Sequence, residues 1–178
     1  SLAYNFKDLC SKVQSITDNL QSDSLIEEFL PGREFSVAIL KNEHNSDYEV
    51  LPIELSAPVG KDKSSLLSVH VKTSNTEIVS KVLDLDLKVN LTELALDAFI
   101  AIGARDYGRI DLRLDASGVH HFLEANLIPS LISGYGSFPK TCLLNLGLGY
   151  DQMILRVVKL GLVRAQEKEE LKDFIPLH

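Results

Sequence analysis

The 178-residue sequence lacks tryptophan and contains only one methionine and two cysteines. Two cysteines, neither of them in a metal-binding spacing, cannot form a disulfide framework, so we expect a reducing compartment and a cytoplasmic location. The chain carries 18 Lys and Arg against 25 Asp and Glu, a net charge of −7. This balance leaves no basic surface of the kind that nucleic-acid-binding proteins use, so no nucleic-acid partner is expected.

Long uninterrupted apolar segments are also missing from the sequence. The most apolar stretch, residues 143–163, is interrupted by polar residues: Asn145, Asp151, Gln152, Arg156 and Lys159. Such a stretch predicts an amphipathic helix region rather than a membrane span. The sequence becomes polar within a few residues of Ser1, which does not match a signal peptide. Because the chain begins with Ser1 rather than methionine, we expect a fragment of a longer protein, folded as one domain or two small lobes.

Two runs of alternating residues, 108–115 and 119–126, flank a short turn with Gly118 and predict a β-hairpin. Because alternate side chains of a strand point to opposite faces, the polar residues of each run share a face. These residues are Arg109, Asp111 and Arg113 on the first run, and Glu124 and Asn126 on the second. If the two polar faces align, the carboxylates and the amide converge beside two arginines.

Two carboxylates and an amide oxygen form a hard, all-oxygen ligand set, which suits Mg²⁺ and is poor for zinc. Protein-bound Mg²⁺ usually completes its coordination with water and substrate phosphates. The alternative is a hairpin whose exposed face is simply charged. The acids lie near strand ends, and a loop follows Asn126, so the pattern favours a magnesium site formed by Asp111, Glu124 and Asn126.

Three segments of the sequence resemble one known family. Glu124, Asn126 and Pro129 form a Glu-x-Asn-x-x-Pro pattern after the Gly-Arg-Ile-Asp strand, and residues 27–34 and 101–108 precede it in matching order. In this order and spacing, residues 1 to about 163 resemble the C-terminal half of D-alanine–D-alanine ligase and its relatives in the ATP-grasp superfamily.

The resemblance implies an α+β fold, an ATP-grasp fragment with a mainly antiparallel sheet flanked by helices. Residues 1–30 would be the remnant of the smaller lobe with its hinge strand, and residues 31–178 would form the larger lobe. It also implies an ATP- and Mg²⁺-dependent carboxylate–amine ligase with an acyl-phosphate intermediate, using one or two Mg²⁺ ions, with Mn²⁺ as a substitute. The expected partners are small amino acids or peptides, and no membrane partner is expected. A homodimer is one assembly that the protein is expected to be able to form.

The same resemblance assigns roles to particular residues. Glu27 would accept a hydrogen bond from the adenine amino group, the backbone near Phe29 and Leu30 would contact the ring, and Glu34 would bind the ribose. Arg109 would steady the transferred group and the oxyanion, and Lys72 is the candidate for the lysine that reaches the γ-phosphate. An exposed lysine on a strand is the alternative for Lys72. One nucleotide spanning these positions requires Glu27 and Glu34 to flank a cleft that opens toward Glu124.

The loop after Asn126 departs from the family pattern. Ser130 replaces a glycine and Ile132 replaces a hydroxyl-bearing residue, whereas Ser137 would match the serine that holds the second substrate's carboxylate if a short insertion is allowed. We therefore expect a preferred substrate pair other than two D-alanines. Because the phosphate-clamping lysines would lie upstream, the fragment alone is expected to be inactive. The alternatives are a non-catalytic ATP-grasp-like nucleotide-binding or interaction module, a hydrolase using Asp111 and Glu124, and a structural domain.

The sequence also predicts individual helices and strands. Apolar periodicity and capping residues predict helices over residues 6–20, capped by Asn5, over residues 91–102, capped by Asn90, and from about residue 149 to 163. A short strand is expected over residues 24–30, and an antiparallel pair over residues 34–40 and 49–55.

Overall fold

The computed structural model describes residues 2–43, 45, 47–56 and 78–174. Lys72, the predicted γ-phosphate ligand, lies outside these residues. The chain divides into two compact units, Ser1–Pro31 and Gly32–His178. Within the described ranges, no helix combines the length and the apolar character needed to cross a bilayer.

The first unit contains helix α1 (Phe6–Leu20), which confirms the predicted helix and its cap. Asn5 Oδ1 accepts a hydrogen bond from the backbone N–H of Asp8 at 2.9 Å, as an N-cap residue should. The predicted strand over residues 24–30 is wrong, because this segment is neither strand nor helix. A strand requires a hydrogen-bonded neighbour, and the ladders of the described residues do not include this segment.

In the second unit, the described residues form one antiparallel sheet of five strands in the order β3-β2-β1-β4-β5. The strands are β1 (Glu34–Lys41), β2 (Tyr48–Ser56), β3 (Ile78–Lys81), β4 (Tyr107–Leu114) and β5 (His120–Asn126). The predicted β1–β2 pair and the β4–β5 hairpin are both confirmed. The predicted α+β fold with a mainly antiparallel sheet is confirmed as well, whereas β3 was not predicted.

Helix α2 (Leu85–Ala101) covers one face of the sheet and buries Leu87, Leu91, Ala95 and Phe99 against it. The predicted cap at Asn90 is wrong, because the helix begins at Leu85 and Asp84 caps it by accepting from the Leu87 N–H at 3.0 Å. Leu87 and Leu91 both contribute to the core, so packing extends the helix past Asn90. Gly103 follows the helix with a φ of 68°, as expected for a stop signal.

Helices α3 (Ser137–Leu146) and α4 (Tyr150–Phe174) are associated with the other face of the sheet. Phe138 and Cys142 of α3 and Met153 and Leu160 of α4 form a second core with apolar residues of β1 and β2. Helix α3 was not predicted, because no side chain caps its N-terminus and the left-handed Gly147 alone ends it. Strand β1, buried along almost its full length, therefore lies between two apolar layers.

Candidate functional site

The β4–β5 pairing brings the predicted site residues of the hairpin together. Asp111 is paired with Glu124, and Arg109 is paired with Asn126. The pairing shifts by one residue between Asp111 and Leu112, so Leu123 is an extra residue in β5. Because directly paired residues of an antiparallel ladder point to the same side, this β-bulge places Glu124 and Asn126 on the face of Asp111.

Asp111 is buried, with only 4% of its surface exposed. Arg109 holds it with both prongs of the guanidinium, at 2.9 Å from Nε to Oδ1 and 2.7 Å from Nη2 to Oδ2. Burial raises the pKa of Asp111, and a hydrogen bond with Glu124 acts in the same direction, whereas the positive charge and hydrogen bonds of Arg109 oppose the rise. The carboxylate thus lies in a desolvated site that depends on a cationic neighbour.

Glu124 and Asn126 lie beside this ion pair on β5, the strand at one end of the sheet order. Asn126 Nδ2 donates to Glu124 Oε1 at 3.1 Å, and Arg109 Nη2 lies 3.6 Å from the same oxygen. The Glu124 side chain is 58% exposed, so its carboxylate is accessible from solvent. Arg109 therefore contacts both carboxylates that the sequence predicts as metal ligands.

The chemistry of this donor set fits a hard divalent cation. The two carboxylates and the side-chain amide of Asn126 share one face, and carboxylate and carbonyl oxygens are the ligands that Mg²⁺ prefers. No group of three or more His, Cys, Asp or Glu side chains suitable for a metal occurs in the described part of the chain. A cation held here would consequently rely on the amide as a third protein ligand, or on water and phosphate oxygens.

A cleft next to Arg109 contains both predicted substrate residues. Its lining includes Asp111, Ser130, Gly136 and Ser137. Arg109 Nη1 donates to Ser137 Oγ at 3.2 Å, which links the strand of the metal-site residues to the first residue of α3. The structure thereby groups the predicted catalytic arginine, the carboxylate Asp111 and the two serines around one opening.

The loop that closes this cleft depends on Gly136. A Cβ atom at this position would lie 2.2 Å from the carbonyl oxygen of Ser130, a distance that no side chain can occupy. The Gly136 N–H donates to the carbonyl of Ile132 at 3.0 Å, which closes the loop on itself. Gly136 was not among the predicted site residues, and the local signal for this close approach is a glycine between Ser130 and the start of a helix.

Glu34 lies on the same face of the sheet as the metal-site residues. It is 8% exposed and accepts a hydrogen bond from Arg113 Nη1 at 2.8 Å. On β1 it is two residues from Ser36, which is paired with Asp111. The predicted ribose ligand and the predicted metal ligands therefore share one surface.

The remaining predicted nucleotide contacts belong to the first unit and stay predictions. Glu27 and Phe29 line a groove of that unit together with residues of α1, among them Lys12 and Ile16. Leu30 follows directly in the chain and is partly buried.

The sequence is similar to known proteins of one family. A family model described as "D-ala D-ala ligase C-terminus" matches residues 3–159. A D-alanine–D-alanine ligase of Actinobacillus pleuropneumoniae serotype 5b is 31% identical over 151 residues, which cover 83% of this chain and 46% of that protein. The chain thus spans about half the length of this curated relative.

Solved structures show the same fold. The D-alanine–D-alanine ligase from Coxiella burnetii superposes with a TM-score of 0.70 at 19% identity and covers 96% of this chain and 43% of that one. The VanG D-Ala:D-Ser ligase from Enterococcus faecalis superposes with a TM-score of 0.65 at 21% identity, over 88% of this chain and 43% of that one.

Proposed function

The chain belongs to the family of D-alanine–D-alanine ligase C-terminal domains, and from this membership we propose that its parent protein is an ATP- and Mg²⁺-dependent carboxylate–amine ligase. The observation that supports this proposal is the shared polar face of β1, β4 and β5. Asp111, Glu124 and Asn126 lie there next to Arg109 and the serine-lined cleft. Residues 1–30 would belong to the smaller lobe, so the isolated chain would lack the complete phosphate clamp.

The proposed reaction has two steps. The γ-phosphate of ATP is transferred to an oxygen of a substrate carboxylate, which releases ADP. An amine then attacks the acyl carbon, loses a proton and displaces inorganic phosphate as the amide bond forms. Asp111, Glu124 and Asn126 would hold Mg²⁺, which neutralises phosphate charge when bound. Arg109 donates to the oxygens that gain negative charge, because its planar fork matches such groups and is already held in place by Asp111 and Ser137.

The nucleotide would extend along the polar face from the metal site to Glu34. Glu34 is held by Arg113, so its carboxylate is already oriented before a ribose binds. Glu27 and the backbone near Phe29 and Leu30 would contact the adenine, and Lys72 would reach the γ-phosphate.

Metal binding by the 178-residue chain tests this proposal directly. We expect Mn²⁺, titrated while its free concentration is followed by electron paramagnetic resonance, to bind at least about tenfold more weakly to Glu124→Gln than to the unaltered chain. The amide keeps the size of the side chain but removes the negative charge that attracts the cation. Glu43→Gln is the matched control, because Glu43 pairs with Lys159 rather than with hairpin residues. Equal Mn²⁺ binding by Glu124→Gln and the unaltered chain would contradict the metal assignment.

The preferred substrate pair is proposed to differ from two D-alanines. Ser130 and Ile132 alter the loop that borders the cleft, and one structural neighbour is itself a D-Ala:D-Ser ligase. A residue other than glycine at position 130 restricts the backbone, and a misplaced oxyanion donor costs about a hundredfold or more in rate. We expect full-length protein at saturating Mg-ATP to release ADP more slowly with D-alanine alone than with at least one other amino acid or amino-acid pair in a screen. Efficient turnover of D-alanine alone would show that the loop changes are neutral.

A non-catalytic ATP-grasp-like module remains the second candidate, and the altered loop is the observation that favours it. Such a module would bind nucleotide or a partner without ligation. ADP release that depends on an added amino acid would exclude it. A hydrolase using Asp111 and Glu124 is less consistent with the geometry, because Arg109 and Ser36 occupy the Asp111 oxygens that would have to move a proton.

A further inference from the structure

Ser36 is a polar residue in the middle of a buried apolar strand. It is 1% exposed, and its neighbours Phe35 and Val37 belong to the core under α2. Its side chain points to the opposite face, where its hydroxyl donates to Asp111 Oδ1 at 2.8 Å. The two residues are also directly paired in the β1–β4 ladder, so backbone and side chain both fix this contact.

Besides its hydrogen bond with Glu124, Asp111 is held by two groups of different character, Arg109 and Ser36. Arg109 is positively charged and donates to both carboxylate oxygens, with Nε at Oδ1 and Nη2 at Oδ2. The same Nη2 atom lies 2.7 Å from Asp111 Oδ2 and 3.6 Å from Glu124 Oε1, a position between the two predicted metal ligands. Ser36 is neutral and contacts only Oδ1.

A divalent cation between Asp111 and Glu124 would compete with Arg109 Nη2 for Asp111 Oδ2, and the two positive charges would repel each other. The hydroxyl of Ser36 does not compete, since it carries no net charge and approaches Asp111 from the neighbouring strand. If a cation took Oδ2, the Ser36 hydroxyl would still donate to Oδ1 and keep the carboxylate in its rotamer.

We propose that Ser36 is a positioning residue of the metal site: it fixes Asp111 through Oδ1 and leaves Oδ2, on the side of Glu124, for the cation. This inference depends on the proposed function, because it presupposes that Asp111 and Glu124 bind a metal. Hydrogen bonds that orient metal ligands typically change metal affinity by about ten- to a hundredfold when they are removed. Ser36 has the burial and the geometry of such a group.

Mn²⁺ binding to the 178-residue chain tests the inference, with the free ion followed by electron paramagnetic resonance. We expect Ser36→Ala to weaken binding by about tenfold and Ser36→Thr, which keeps the hydroxyl, to bind within about threefold of the unaltered chain. Ser36→Cys places a larger thiol at the same position but offers only a weak donor, so it should weaken binding as alanine does. Thermal unfolding without metal should change little in these variants, because Arg109 still holds Asp111.

The matched control is Thr141→Val, which removes an equally buried hydroxyl that donates to the carbonyl of Ser137 rather than to Asp111. Its Mn²⁺ affinity should equal that of the unaltered chain. If Ser36→Ala and Ser36→Cys bind Mn²⁺ normally while Glu124→Gln does not, the role of Ser36 is refuted and the metal site stands. Failure of Ser36→Thr to restore binding would also refute it. If the unaltered chain binds no more Mn²⁺ than Glu124→Gln, the metal site itself is refuted and the role of Ser36 falls with it.

Discussion

Full-length protein carrying Arg109→Met is expected to release ADP about a hundred- to a thousandfold more slowly than the unaltered protein. Arg109 is the cationic group that connects Asp111, Glu124 and Ser137 at the cleft. Methionine keeps an extended apolar side chain but cannot donate to a developing oxyanion. The measurement is the steady-state rate at saturating Mg-ATP and amino acid, compared with the rate of the unaltered protein.

The control for this variant is Arg33→Met. Arg33 holds Glu54 with the same two-pronged geometry, at 2.8 Å and 2.6 Å, but outside the cleft. Its loss should leave the rate of ADP release within about twofold, because Arg33 does not line the cleft. The folded state should also be little affected, since a more exposed ion pair contributes about 1 kcal/mol or less to stability. Arg109→Met also leaves Asp111 buried with fewer partners, so the folded state must be verified by circular dichroism before rates are compared. A rate similar to that of Arg33→Met would contradict the proposed role of Arg109.

Phe99→Ala is expected to lower the free energy of unfolding of the 178-residue chain by about 3–5 kcal/mol. Phe99 is fully buried in the core under α2 and meets the ring of Tyr48 edge-on, with ring centroids 5.4 Å apart. Its ring also lies directly against Gly108, where an added Cβ would be 2.7 Å from Phe99 Cε2. Alanine would leave a cavity beneath β4, and urea-induced unfolding followed by circular dichroism measures its cost.

Phe122→Ala provides the comparison for this core substitution. Phe122 is 45% exposed on β5, so the same truncation removes much less buried surface. We expect it to lower the free energy of unfolding by no more than about 1.5 kcal/mol. Equal losses for the two variants would show that Phe99 does not occupy the core position that the structure gives it.

Several elements could be predicted from the sequence because their signals are local. The Asn5 cap and the apolar spacing of residues 6–20 specify α1, and alternation together with the Gly118 turn specifies the β4–β5 hairpin. The predictions that failed depended on distant partners. Asn90 is a residue type that favours helix caps, but packing of Leu87 in the core extends the helix toward the N-terminus, where Asp84 caps it. Residues 24–30 have strand composition but no ladder partner among the described residues.

The pairing of Asp111 with Glu124 depends on the register between β4 and β5, which the local sequence does not determine. Alternation alone determines that Asp111 shares a face with Arg109, and that Glu124 shares a face with Asn126. It does not determine whether these two faces coincide, because a shift of one residue between strands exchanges the faces of one strand. The bulge at Leu123 provides this shift in the structure. Without it, continuation of the pairing from Leu112 and Phe122 would place Leu123 opposite Asp111 and turn Glu124 toward the apolar core.

The sequence by itself determined the residue types of the site, their order along the chain and their grouping within each strand. The tertiary structure decided which strands meet, and therefore which groups contact Asp111. Ser36 comes from β1, which is distant in sequence but paired with β4, and Ser137 comes from a helix that packs against the same face. Such contacts depend on hydrogen bonding between strands and on burial of both sheet faces, and these energies arise only when the whole chain is folded.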